Sequence, residues 1–330
     1  MLFCLPLNLP EHGFRASGAA ACKWTSTAIY SIQRKTGVEE DSMLDRTKAL
    51  PISANPGAVP FATRPLAPGI GMEIMGVDCA QEISPETFAR ILDIWHDNCV
   101  ILLRNQSLDE EKEWKFARLF GETGKVHHNH NGGSKFPGVM YISNIRENGE
   151  LIGSLPDGEM FFHHDQCYIE KPAIATMLYA MEIPSEGGNT IFANMFAAYD
   201  ALPDDVKTRL AGLKAMHVYD YASNPTTRGA VIKEGTPHYA HPVVRVHPGN
   251  GRKALYVNRL MTDHIVGLDR QESDKLLDYL FDHSEQKQFL YEHVWTPGDL
   301  LIWDNRSCTH ARTDFSAAER RLMRRVAIVG

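Results

Sequence analysis

The chain has 330 residues, 43% hydrophobic and 23% charged, a globular composition that excludes a disordered or collagenous chain. Its 34 Lys and Arg against 41 Asp and Glu leave a net charge of −7, which argues against nucleic acid as the main partner. No uninterrupted apolar run approaches the roughly 20 residues that span a bilayer, so no membrane partner is expected either. The one number that stands out is 15 histidines, a weak pointer to metal or acid/base chemistry.

The first residues differ from the rest. Residues 1–38 carry Arg15, Lys23, Arg34 and Lys35 but only Glu11 as an acid, and show neither helical nor strand periodicity. A basic, acid-poor stretch is one description of an organellar targeting peptide. The favoured reading is a disordered extension, or a chain begun upstream of Met43 as the real start, because globular patterning begins only afterwards. The expected organisation is therefore an extension over 1–54 and one globular domain over 55–330. The six cysteines, Cys4, Cys22, Cys79, Cys99, Cys167 and Cys308, are scattered without CxxC spacing. That is neither a disulfide framework nor a structural zinc site, and it points to reduced thiols and a cytoplasmic location.

From Pro60 the pattern becomes regular. Ser84 followed by Pro85 reads as a cap and first helical residue, with Phe88, Ile91, Leu92 and Trp95 at helical spacing. Asn98–Arg104 reads as a buried strand, and Ser107 opens a second helix carrying Trp114, Phe116, Ala117 and Phe120. Gly124–Gly133, which holds His127, His128 and His130, reads as a loop. The segment 241–257 predicts two strands around a Pro-Gly-Asn-Gly turn. Asp269-Arg-Gln-Glu272 predicts the start of a helix with Leu276, Leu277 and Leu280 on one face. Strands are expected over Phe289–Trp295, Leu300–Trp303 and Leu322–Val329. This density of strands with a few helices predicts a β-sandwich or barrel with helical cover.

In Phe161–Tyr168, a strand would project His163 and Asp165 to one face and His164 to the other. An imidazole beside a carboxylate supplies two thirds of the 2-His-1-carboxylate triad that holds Fe(II) with open positions, and His310 is a candidate third member. A His-x-Asp pair is common by chance in so histidine-rich a chain, so a hydrogen-bonded surface pair competes with this reading. Beyond His310, Arg321, Met323 and Arg325 share one face of the last predicted strand, and Arg320 and Arg324 share the other. Periodicity does not say which face is inward. Whichever arginines are buried need an anion, and a carboxylate suits a guanidinium best.

Five segments occur in order: Phe162–Gln166 (FHHDQ), Pro184–Thr190 (PSEGGNT), His241–Pro248 (HPVVRVHP), Leu300–Arg306 (LLIWDNR) and His310–Arg325. Together they resemble the taurine dioxygenase and 2,4-D dioxygenase (TauD/TfdA) family of Fe(II)- and 2-oxoglutarate-dependent oxygenases, over roughly residues 60–330. The resemblance implies a mostly β, double-stranded β-helix (jelly-roll) fold with flanking helices, and a homodimer or homotetramer. It implies His163, Asp165 and His310 as iron ligands, and Arg321 with Thr190 as the pair holding the distal carboxylate of 2-oxoglutarate. Arg325 resembles the family's second arginine, which meets the substrate's anionic group. The implied reaction uses O2, releases succinate and CO2, and hydroxylates the substrate.

The sequence departs from taurine dioxygenase at three positions expected around the substrate: Glu159, Gln166 and Met261. Glu159 would suit an amine-bearing or hydroxylated substrate and be unfavourable beside a second anion, so taurine itself is not expected; the expected substrate is a small anionic one, a sulfonate, an alkyl sulfate, an aryloxyalkanoate or another organic acid. Two other classes compete with the enzyme reading, a non-catalytic jelly-roll binding protein and a zinc hydrolase built on the same triad. The first predicts damage to the triad or to Arg321, which is absent, and the second has no use for Arg321 with Thr190. Asp304-Asn-Arg306, Trp303 and Tyr256 read as structural, and Cys167 and Cys308 as core.

Overall fold

A computed structural model describes residues 61–124, 134–154, 159–219 and 228–330. The extension over 1–54 and the loop histidines His127, His128 and His130 lie outside the described residues. So does most of the Gly124–Gly133 loop.

An eight-stranded sheet forms the main layer. Its order is Ala62–Ala67, Ile70–Met75, Val100–Leu103, Leu300–Asp304, Ala173–Glu182, Leu322–Val329 and Glu122–Thr123, with Val139–Ser143 also paired to Leu322–Val329. All these pairings are antiparallel except the one between Ile70–Met75 and Val100–Leu103. A four-stranded sheet runs Leu290–His293, Thr190–Asn194, Cys308–Arg312 and Met160–His163. Side-chain alternation divides the main sheet cleanly. Val100, Leu102, Leu178, Ala180, Leu301, Trp303 and Met323 join Phe192, Ala193 and Cys308 of the smaller sheet in one core. Ile101, Leu103, Met177, Leu300, Ile302, Val326 and Ile328 face the opposite way, against Ile91, Trp95, Phe116 and Ala117 of the helices.

The local signals are realised at most positions. Ser84 caps the helix Pro85–Asn98 by accepting from the Thr87 amide, and Asp269 caps Arg270–Ser284 by accepting from Glu272. The second helix starts later than Ser107 suggests: Asp109 is the cap and Glu110–Ala117 the helix. The first strand of the 241–257 hairpin is broken. Pro242 ends His238–Pro242, which pairs with Lys214–Val218, and only Val244–Val246 pairs with Lys253–Leu255. Proline has no amide hydrogen for the ladder, which explains a break there.

The face of the last strand is now fixed. Met323 packs between the sheets and Arg325 shares its side, while Arg324 points toward the helices; Arg321 precedes the strand, beyond a register shift at Leu322/Met323, and reaches the Gly188 carbonyl. Arg324 is nevertheless buried, at 3% exposure, and ion-pairs with the fully buried Glu113 while donating to the Leu108 carbonyl at 2.9 Å. Glu113→Ala would leave that guanidinium uncompensated, a loss of about 3–5 kcal/mol. Urea unfolding should show it as a lowered midpoint, and a loss below about 1 kcal/mol would show that the pair does not pin the helix to the sheet.

Candidate metal centre and anion site

His163 ends the strand Met160–His163, and His310 lies in the middle of Cys308–Arg312, a strand not foreseen as separate. The two are register partners, with ring centroids 4.1 Å apart. Asp165 does not reach them by strand alternation. The strand stops at His163, and Asp165 sits in a turn whose next residue, Gln166, has φ +55°. The expected convergence holds, but a turn produces it. The ligand atoms of His163, Asp165 and His310 all lie within 4.8 Å of one another, and all three residues are buried.

Their protonation states suit a metal. His163 Nδ1 donates to the Phe161 carbonyl at 2.9 Å, which leaves Nε2 as the lone-pair nitrogen. Burial holds His163 below its ordinary pKa, and burial with His163 holds His310 well below it, so both rings are neutral. Burial alone would raise the Asp165 carboxyl. Arg325, His310, His163 and the Thr176 hydrogen bond outweigh it and hold the group below the carboxylate range. Two neutral imidazoles and an ionised carboxylate are the forms a divalent metal requires. Arg325 Nη2 lies 2.9 Å from Asp165 Oδ1, and Thr176 Oγ1 donates to Oδ2 at 2.6 Å.

Arg321 forms a second centre. It is 1% exposed, the Nε and Nη1 of its guanidinium have no partner among the described residues, and Nη2 makes a long 3.4 Å contact to the Gly188 carbonyl. Burial, then Arg312, pushes its pKa down to about 9. Such a guanidinium calls for an anion. Thr190, two residues after Gly188, accepts from Trp295 Nε1 at 3.0 Å. Indole is only a donor, so the Thr190 hydroxyl hydrogen remains for another acceptor, which suits a carboxylate. Thr190 is also the register partner of Arg312, two residues beyond His310, which ties the anion site to the triad.

Arg325 is partly exposed, with its Nη1 on Met140 Sδ at 3.4 Å. Met261 is 2% exposed and meets Cys167 Sγ at 3.6 Å, in a cluster with Tyr168, Tyr256 and Leu260. Gln166 is partly exposed beside Asp165, and Glu159 is exposed. His164 packs against Tyr256, with ring centroids 4.3 Å apart and the planes tilted by 35°. Thr176 and Arg312 were not singled out from sequence. Alternation from His310 could have found Arg312, but nothing local marks Thr176, which comes from a different strand.

A second cluster, His96, His247 and Asp304, has metal-like spacing. Its groups are already committed. Asp304 accepts from Arg306 Nε at 2.8 Å, Arg306 Nη2 at 2.6 Å and His247 Nε2 at 2.8 Å, while His247 Nδ1 accepts from the Gly249 amide at 3.2 Å. No His247 lone pair is left for an ion, so this is a structural knot.

Residues 62–327 match the taurine catabolism dioxygenase TauD, TfdA family. The chain belongs to this family. It is 32% identical over 278 residues to an alpha-ketoglutarate-dependent 2,4-dichlorophenoxyacetate dioxygenase of Cupriavidus pinatubonensis, covering 79% of this chain and 95% of the relative. It is 31% identical over 287 residues to an (S)-phenoxypropionate/alpha-ketoglutarate-dioxygenase of Sphingobium herbicidovorans, covering 82% and 95%. Among solved structures it resembles AAD-2 in complex with Mn(II) and N-oxalylglycine, with TM-score 0.69, 27% identity, and 82% and 98% of the two chains covered. The protein is thus a non-haem iron dioxygenase that uses Fe(II), 2-oxoglutarate and O2. Neither a binding protein nor a zinc hydrolase fits that membership.

The metal-free dioxygenase should be acid-sensitive. Burial pushes His217 down to about 3, and His164 is also held well below its ordinary value. Below pH 6.5 the unfolded chain therefore binds protons that the folded chain refuses, so stability falls as pH drops from 6.5 toward 3. For His217 alone the loss by pH 5 is about 2 kcal/mol. Urea midpoints of the metal-free protein at pH 7 and pH 5 check this, and an unchanged or higher midpoint at pH 5 would contradict it.

Proposed function

We propose that this dioxygenase hydroxylates a small anionic organic acid, with an aryloxyalkanoate first among the candidates, ahead of a sulfonate or an alkyl sulfate. The observation that carries this is Arg325, a partly exposed guanidinium 2.9 Å from Asp165. A substrate anion held there would bring its neighbouring carbon to the triad. Tyr168 supports an aryl group. Its phenol is raised chiefly by burial but also feels Arg325 and Asp165, and it packs on Tyr219 at 4.6 Å beside Met160 and Met261. That wall is apolar and polarisable, and the two relatives above are named for aryloxy acids.

His163, Asp165 and His310 would hold Fe(II), and Arg321 with Thr190 the distal carboxylate of 2-oxoglutarate. Bound there, iron, 2-oxoglutarate and O2 supply an oxidative decarboxylation to succinate and CO2 coupled to hydroxylation of a C–H bond. The chain's part is to keep both imidazoles neutral and Asp165 ionised, to hold two anions on separate arginines, and to shield the site with Phe192 and Trp303, whose rings lie 6.2 and 4.6 Å from His310. Hydroxylation beside a heteroatom would make the product collapse, to a phenol from an aryloxyacetate or to sulfite from a sulfonate. Met261 would shape the pocket wall, Gln166 would sit beside the reacting carbon, and Glu159 would stand at the rim.

The two facing sheets are consistent with a jelly roll formed by one domain over 55–330, in a homodimer or homotetramer. The free, buried Cys79, Cys99, Cys167 and Cys308 suit a cytoplasmic enzyme. No described helix is long and apolar enough to cross a membrane. A screen of aryloxyalkanoates, sulfonates, alkyl sulfates and amino acids, scored by stimulated succinate release, tests the substrate. An aryloxyalkanoate should stimulate most and its neutral ester hardly at all, whereas equal turnover of acid and ester would contradict an anion on Arg325.

A further inference from the structure

Asn305 is fully buried in the turn between Leu300–Asp304 and Cys308–Arg312. Its Oδ1 accepts from Trp303 Nε1 at 3.0 Å and from the Asp165 amide at 3.3 Å. An indole N–H and a peptide N–H can only donate, so both neighbours require the oxygen of Asn305, and the orientation of its amide is settled by chemistry. Its Nδ2 must then be the group 3.0 Å from Thr176 Oγ1, and it donates there. A hydroxyl carries a single hydrogen. With the Asn305 N–H directed at its lone pair, Thr176 is left to give that hydrogen to Asp165 Oδ2, at 2.6 Å.

We infer that Trp303, Asn305 and Thr176 form a one-way donor chain that fixes the Asp165 carboxylate for metal binding, with Asn305 and Thr176 as its positioning residues. The inference rests on the reading of His163, Asp165 and His310 as iron ligands. Asn305 acts twice on the same ligand: directly on the main chain of Asp165, and through Thr176 on its side chain. Arg325 on Oδ1 and Thr176 on Oδ2 give each carboxylate oxygen one protein donor. Rotation of the carboxylate about its own bond would lose both. The chain thus directs a donor at Oδ2, the kind of outer partner that orients a metal ligand. Asn305 is therefore more than part of the structural Asp304–Arg306 turn.

The chain's direction gives a test that packing alone would not pass. Thr176→Val keeps the shape and removes the hydrogen, Thr176→Ser keeps the hydrogen, and Asn305→Asp replaces a donor with an acceptor, turning the Thr176 hydroxyl away from Asp165. Anaerobic calorimetric titration of each metal-free protein with Fe(II), beside a urea midpoint, reads the effect. Thr176→Val and Asn305→Asp should bind Fe(II) about 10–100-fold more weakly, and Thr176→Ser within about threefold of wild type. Wild-type-like Fe(II) affinity in Thr176→Val overturns the inference whatever its midpoint does, and leaves the iron reading intact. A wild-type protein that does not bind Fe(II) overturns both. If Asn305→Asp does not fold, the Val and Ser variants of Thr176 decide alone.

Discussion

His310→Ala is expected to abolish substrate-stimulated succinate release, by more than the roughly 100-fold that losing an outer partner of a metal ligand costs. Its ring is register-paired with His163, is held neutral by burial, and has its Nε2 3.9 Å from Asp165 Oδ2. Removing it leaves two donors and opens space beside Trp303 and Phe192. A cavity also destabilises, so His310→Gln, which fills most of the volume, is the companion variant. Both variants should lose bound iron along with activity. Succinate release at the wild-type rate from either would mean that His310 is not a ligand.

Arg321→Met is expected to move stability and activity in opposite directions. In the protein without co-substrate, Arg321 is a buried cation with two unpartnered nitrogens, and its nearest charged influence is another arginine. Replacing it with an apolar side chain of similar length removes that desolvation cost, so the substrate-free protein should be more stable by about 1–4 kcal/mol. The same change removes the cation that would hold the distal carboxylate of 2-oxoglutarate. Charge-assisted hydrogen bonds contribute about 1.5–3 kcal/mol each, so the loss of two should raise the 2-oxoglutarate requirement by roughly 100-fold or more. Melting curves with and without 2-oxoglutarate separate the two effects: the co-substrate should stabilise wild type and leave Arg321→Met unmoved. A destabilised variant that still binds 2-oxoglutarate would make Arg321 a structural residue.

Much of this was legible in the sequence, for reasons that differ from residue to residue. Helix caps at Ser84 and Asp269, and the buried strand near Val100, follow from local chemistry, and they formed as expected. The spacing of His163, Asp165 and His310 pointed to a triad, yet the strand geometry invoked for Asp165 was not the cause, because the chain turns after His163. Alternation grouped Arg321 with Arg325 but could not choose their face. Arg324 shows why: it is buried too, and only its partner Glu113, 211 residues away, distinguishes a structural arginine from one that awaits a ligand. Thr176 and Asn305 were invisible as site residues for the same reason. Their meaning lies in a hydrogen bond from the turn ending one strand of the main sheet to the neighbouring strand, 129 residues apart in sequence, which no local pattern encodes.

We propose that His163, Asp165 and His310 bind Fe(II) while the buried Arg321 binds 2-oxoglutarate. Anaerobic addition of Fe(II) and then 2-oxoglutarate to the purified protein tests it most directly. A weak visible charge-transfer band should develop and saturate at one equivalent of each, and should be absent from His310→Ala and from Arg321→Met at the same concentrations. No band in the wild-type protein, or the same band in His310→Ala, would contradict the account.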